Sequence, residues 1–232
     1  MNRRDFLWKI TPGGIALLAA PKMYADLQCT PFMPNGLQQC EAGIDSDLIH
    51  STALQQQSEW CWAACIEMVF RYYDYDVPQR RIVEETWGQA VNMPGQPAQI
   101  VADLNRTWKS EDGRKFTASG DVYSANAVTA AQDLAQDFPL IIGALGHAVV
   151  LTSLVYLRNA YGSGDVQSAI VRDPWPGRGR RVLTPQEWYS INFACRIRVA
   201  AAGKADDDDD DKDKDDDKDK DEDKDDDPGD RR

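Results

Sequence analysis

The chain has 232 residues, enough for one sizeable domain, and its formal net charge of −12 is unevenly placed. From Asp206 onward it is almost entirely Asp and Lys, with 18 of the 38 acidic and 7 of the 26 basic residues, so this tail carries 11 of the 12 net negative charges. The nearly neutral remainder excludes a basic nucleic-acid-binding field and an acidic folded domain alike.

Residues 1–25 read as an export signal. Arg3-Arg4-Asp5-Phe6-Leu7, then Lys9, sets two arginines before a hydrophobic pair, and a mild apolar stretch, Gly13 to Ala20, follows. This resembles a twin-arginine signal, with cleavage expected after Ala20 or Ala25. The apolar stretch is too short to span a bilayer. The resemblance implies the twin-arginine export machinery as a partner. It also implies a bacterial enzyme that folds first and acts in the periplasm or outside the cell, with no membrane span in the mature chain.

The five cysteines suit that address, as one reactive thiol plus up to two disulfides drawn from Cys29, Cys40, Cys65 and Cys195. Three connectivities are open. Cys29 with Cys40 would close a short loop around Pro31, Pro34 and Gly36. No C-x2-C pair is present and there are only two histidines, so neither a metal nor a cofactor is expected.

Residues 26–204 are the expected folded domain. Its opening, 26–53, has turn residues and few periodic apolar positions, and is expected to wrap the surface. Next comes Gln55-Gln56-Gln57-Ser58-Glu59-Trp60-Cys61-Trp62-Ala63-Ala64. Ser58 suits an N-cap, and Ala63 to Tyr73 is an unbroken, largely apolar helix-forming run, so Cys61 falls where a helix begins. The unpaired N–H groups and positive dipole end of a first helical turn favour a thiolate over a thiol. Six residues earlier, Gln55 carries a side-chain amide able to donate to an oxyanion, with Gln56 and Gln57 as competing candidates.

After a break at Asp74 to Pro78, a short helix is expected over Gln79 to Trp87, ended by Gly88, then a Pro/Gly-rich loop from Val91 to Pro97. Helical spacing returns over Ala98 to Trp108 and over Asn126 to Asp137. Phe138-Pro139 stops the last helix. Strands are expected at Leu140 to Ala144, Ala148 to Tyr156, Gln167 to Val171, Arg181 to Leu183 and Arg196 to Ala200. Helices first and strands afterwards argue for an α+β domain, a helical part packed on an antiparallel sheet.

A nucleophilic cysteine needs a base, and only His50 and His147 are available. His147 opens the apolar strand Gly146-His147-Ala148-Val149-Val150-Leu151, which would hold an imidazole rigidly, whereas His50 lies in the irregular approach segment. A hairpin centred near Ala160 pairs positions summing to about 320 and sets Asp173 opposite His147. There the carboxylate would fix the imidazole tautomer; in Asp173-Pro174-Trp175-Pro176-Gly177 it also suits an Asx-turn.

Gln55 six residues before Cys61-Trp62-Ala63, then Gly-His-Ala-Val-Val-Leu, then Asp-Pro-Trp-Pro-Gly, resembles the bacterial papain-like cysteine peptidases. These are related to the leader-peptidase domains of bacteriocin exporters and to type III effector cysteine proteases. The likeness spans roughly residues 50–200. It implies a papain-like fold with the catalytic Cys61 at a helix N-terminus, a Cys61–His147–Asp173 triad, a Gln55 oxyanion hole, and a protein or peptide substrate. Asp replaces the Asn of plant papain and the Cys-Gly-Ser-Cys-Trp run is absent, so papain's specificity does not transfer. A transglutaminase-like or amidase acyl transfer uses the same triad, and a binding protein that keeps the scaffold without a competent site is the non-enzymatic alternative. Trp60, Trp62, Trp175 and Trp188 are candidate cleft walls, with Trp62 and Trp188 assigned to the core. The tail, 205–232, cannot bury apolar surface and is expected to be a disordered, solvated extension.

Overall fold

Strand β6 (His147–Asn159), 13 residues long, is the element around which the sheet is built. In this computed structural model, which describes residues 27–44, 52–124 and 126–202, side chains alternate across β6 as the strand pleat requires. Ala148 and Val150 enter one apolar cluster, Val149 and Leu151 another. The expected signal at 1–25, His50 and the tail at 205–232 lie outside the described residues.

One edge of β6 pairs first with β5 (Leu140–Ala144) and then with β2 (Leu37–Gly43), and its other edge pairs with β7 (Gly164–Asp173). Beyond β2 lies β1 (Leu27–Cys29); beyond β5 come β9 (Ile191–Ala201), β4 (Lys115–Tyr123) and β3 (Arg106–Lys109); beyond β7 lies β8 (Gly179–Val182). Every pairing is antiparallel. Cys29 and Cys40, cross-strand partners in β1 and β2, are joined by a disulfide, while Cys61, Cys65 and Cys195 are free thiols.

Helices cover both faces of this sheet. On one side α1 (Cys61–Tyr72), α2 (Gln79–Trp87) and α3 (Pro97–Leu104) pack over Ile141, Val150, Phe193 and Ile197. On the other, α4 (Ala127–Ala135) lies over Leu140, Ile142, Leu151 and Leu154. Helix α1 is buried from Trp62 through Phe70, the pattern of a helix inside a core rather than on its surface. It ends where Asp74 takes a left-handed φ of 67°, a conformation that Asp tolerates better than most residues. Helix α2 follows Pro78 and stops at Gly88, φ 74°, with the expected bounds.

The expected order of helices first and strands afterwards is corrected here, because four strands precede α4. Residues 27–43 do not merely wrap the surface: β2 is hydrogen-bonded into the sheet, with Cys40 and Ala42 buried. The helix expected to reach Trp108 ends at Leu104, and Trp108 belongs to β3, where it alone is buried and meets the Phe70 ring edge-on at 5.3 Å. An α+β architecture of helices on an antiparallel sheet nevertheless stands.

Candidate active site

Cys61 is the first residue of α1, half-buried, and Ser58 does not cap it. The preceding residue is Trp60, without a side-chain cap, and the Ser58 hydroxyl instead accepts from Asn92 Nδ2 at 2.9 Å. Asn92 Oδ1 in turn accepts from the Glu59 N–H at 2.9 Å. With no side chain closing the helix end, the first-turn N–H groups around Cys61 keep their capacity to donate into the cleft.

His147 is delivered by the turn Leu145–Gly146 between β5 and β6, where Ala144 pairs with His147. Both turn residues have positive φ, 51° and 77°, as a tight two-residue hairpin requires. Leucine in that conformation costs about 1 kcal/mol. The β6–β7 pairs nearest the site sum to 322, as in Val150 with Arg172, rather than the expected 320, and irregularities shift the middle of the ladder by one, as in Leu154 with Ala169. A slip of two residues preserves which face each side chain occupies. Asp173 therefore still reaches His147, across a diagonal, and its Oδ1 lies 2.7 Å from His147 Nε2.

The Asp173 side chain is fully buried. Its Oδ1 also accepts from the Trp175 N–H at 2.9 Å, so the oxygen that meets His147 also organises the Asx-turn. Its Oδ2 accepts from Arg181 Nε at 2.8 Å, with Arg178 at 3.5 Å. Arg181 is gripped by both oxygens of Glu187, at 3.0 and 2.7 Å, and Glu187 closes the capping box with Thr184 at the start of α5 (Pro185–Tyr189). Burial opposes the Asp173 charge, but donors from His147, Trp175 and Arg181 outweigh it and hold this carboxyl well below the usual range. Burial also disfavours a charged His147, yet its hydrogen bonds to Asp173 and Cys61 and the charges of both lift its pKa from 6.5 to about 9. Since Asp173 engages Nε2, Nδ1 is the ring nitrogen left to Cys61.

Cys61 and His147 share one cleft of about 960 Å³, walled also by Trp62, Gly95, Ile100, Leu145, Trp175 and Phe193, with Arg178, Arg181 and Glu187 at one side and Asp173 buried behind His147. Trp175, 43% exposed, stands edge-on to the His147 ring at 6.1 Å and is a cleft residue. Trp60 and Trp62 are buried, and each anchors the loop across the cleft, Trp60 Nε1 donating to Val91 O at 2.8 Å and Trp62 Nε1 to Met93 O at 3.2 Å. Trp188 is half-buried against the core.

Gln55 is the buried member of the three glutamines. Its Nε2 donates to the carbonyls of Gln57 and Ser58, each at 3.0 Å, its Oε1 has no protein partner among the described residues, and it does not line the cleft. Burial pushes the Cys65 thiol well up and Cys195 to about 12, which disfavours the thiolate at both. Among the described residues, no three His, Cys, Asp or Glu side chains converge as a metal site would require. Arg178, Arg181 and Glu187 were not singled out by the sequence, where a lone Arg in a short strand looks like any solvated residue.

The model of the family papain-like cysteine protease AvrRpt2 matches residues 43–192, more than half of the chain. The chain belongs to this family. It is a cysteine-type peptidase, and protein or peptide is its substrate class. No curated protein matches the sequence. Among solved structures, the peptidase domain of Streptococcus ComA, a bi-functional ABC transporter involved in a quorum sensing pathway, is 14% identical. That alignment covers 65% of this chain and 97% of that one, with a TM-score of 0.45. UfSP from C. elegans is 12% identical over 76% of this chain, with a TM-score of 0.40, and the match spans 38% of UfSP's length. No helix among the described residues is long and apolar enough to cross a membrane.

Proposed function

We propose that this peptidase hydrolyses peptide bonds through Cys61 as nucleophile, His147 as general acid and base, and Asp173 as the residue that fixes the His147 tautomer. The observation that carries the proposal is the 2.7 Å bond from His147 Nε2 to a fully buried Asp173, behind a cleft lined by both His147 and Cys61, the first residue of α1. Cys61 passes its thiol proton to His147, and its sulfur attacks the substrate carbonyl carbon, forming a C–S bond while charge moves to the carbonyl oxygen. The Cys61 backbone N–H stabilises that oxyanion, and the Gln55 amide joins it by turning away from the Gln57 and Ser58 carbonyls. Collapse expels the amine, which takes its proton from the His147 imidazolium. Water then attacks the thioester as His147 removes its proton; the C–S bond breaks, the carboxylic acid leaves, and the sulfur takes that proton back from His147.

Cys61→Ala and His147→Ala are each expected to abolish peptide cleavage in a mass-spectrometric assay of product peptides. Product mass also separates hydrolysis from transamidation, since hydrolysis adds water and transamidation joins an amine with loss of ammonia. An active His147→Ala protein would remove the triad from the proposal.

We also infer that the enzyme works outside the cytoplasm after twin-arginine export. Support comes from Arg3-Arg4 at the N-terminus and from the Cys29–Cys40 disulfide, a bond that persists in oxidising compartments. Replacing Arg3 and Arg4 by lysine should retain the protein in the cytoplasmic fraction; unchanged export would end this inference.

A further inference from the structure

The segment from Thr52 to Trp60, which carries Gln55 and leads into Cys61, contains no helix or strand. Something other than a ladder must hold its backbone. We propose that Gln79 is the positioning residue for this loop, its side-chain amide holding the backbone around Gln55 in place against the turn that carries Asp173. The proposal deepens the peptidase mechanism above and rests on it for the identity of the reaction centre.

Gln79 is the first residue of α2, is 1% exposed and does not line the cleft. Its Nε2 donates to the Leu54 carbonyl at 2.9 Å, and its Oε1 accepts from the Gln56 N–H at 2.8 Å. One side-chain amide thus does what a peptide unit of a neighbouring strand would do, pairing the carbonyl before Gln55 and the N–H after it. Gln55 itself faces the other way, its N–H donating to the Pro174 carbonyl at 2.9 Å, one residue beyond Asp173. The loop is clamped from both flanks, by α2 on one and by the Asp173 turn on the other.

The orientation of the amide is fixed as well. The second Nε2 hydrogen goes to Glu67 Oε2 at 2.8 Å, and the other oxygen of this buried carboxylate is held by Arg71 at 2.7 Å. Turning the amide over would set Oε1 against the Leu54 carbonyl and the Glu67 carboxylate, and would aim an NH2 at the Gln56 N–H. All three contacts would be repulsive, so a single orientation survives. Because Glu67 belongs to α1, the same helix that presents Cys61 also locks the residue that clamps the approach to it.

Gln79→Met keeps the size of the side chain and removes all three hydrogen bonds. In the full chain, hydrogen exchange followed by NMR should show the Gln55 and Gln56 amides losing at least about tenfold in protection, with the amides inside α1 unchanged. On fluorescein-labelled casein, kcat should fall about ten- to a hundredfold with KM within about twofold, the size of effect a misplacement near 1 Å produces. Iodoacetamide labelling of Cys61 should change less than about twofold, because Cys61 and His147 are left in place. A purely structural Gln79 would lower the melting temperature and leave kcat per folded molecule intact, and that result, or undiminished protection at Gln55 and Gln56, would overturn the proposal. If Gln79→Met does not fold, Glu67→Gln, which removes the charge orienting the amide, should give the same pattern with a smaller loss. A wild-type protein that cleaves no casein would count against the peptidase mechanism, and the exchange measurement would still decide the role of Gln79.

Discussion

His147 joins Cys61 to Asp173, and its ionisation is set by what surrounds it. Burial alone would lower its pKa; the hydrogen bonds and charges of Asp173 and Cys61 raise it to about 9. A group whose pKa is raised on folding holds its proton more tightly in the folded state. Its contribution to stability is therefore fully present below the unfolded value near 6.5 and is lost as pH rises through about 9. The difference in urea-unfolding free energy between wild type and His147→Ala should shrink between pH 6 and pH 10, and a difference independent of pH would show that the ion pair does not form. Asp173→Asn should lower the His147 titration seen by NMR and reduce kcat without abolishing it. Cys61, His147 and Asp173 were legible in the sequence because each sits in a local pattern: a helix start, the head of an apolar strand, and a turn after a hairpin. Gln79 and Arg181 were not, since their partners lie far away in sequence or across a strand pair, and nothing in the local pattern distinguishes a clamping Gln from a solvated one.

At the level of elements, the two tryptophans flanking Cys61 explain the shape of the cleft. Their indole N–H groups hold the carbonyls of Val91 and Met93, and the loop lies so close on Trp62 that a Cβ at Gly95 would sit 2.6 Å from Trp62 Cδ2 and 2.7 Å from Cγ. Both atoms belong to a rigid, buried ring, so a Gly95→Ala side chain can be accommodated only by lifting the loop. This substitution should cost about 1–3 kcal/mol in urea unfolding. It should also raise KM severalfold with little change in Cys61 alkylation, whereas an unchanged KM would mean the loop takes no part in binding. Elements with strong single-period patterns were legible, α2 to the residue. Strands β1 to β4 were not, because their burial comes from distant partners: β2 is completed by β6 and β4 by β9. Trp108 fitted a helical spacing continuing from Leu104 as well as the alternation of β3, and the Phe70 and Phe116 rings that contact each other beside it come from α1 and β4.

Over the whole molecule, the folded body and the acidic tail separate by charge. Residues before Asp206 are nearly neutral, and 11 of the 12 net negative charges lie after it. The arginines of the body are largely matched internally: Arg71 with Glu67 and Asp76, Arg106 with Glu85 and Asp103, Arg181 with Asp173 and Glu187, Arg196 with Asp121 and Asp133. With those charges satisfied locally, stability of the body should not depend on the tail. Colloidal behaviour should depend on the tail, because a body with little net charge lacks the repulsion that keeps molecules apart. Deleting residues 205–232 is therefore expected to leave the melting temperature and the rate of Cys61 alkylation unchanged, while lowering solubility near neutral pH in a turbidity titration. A large fall in melting temperature would instead mean that the tail makes stabilising contacts with the body. Unchanged solubility would mean that the surface charges of the body, though nearly balanced in sum, are distributed well enough to keep the molecules apart without it.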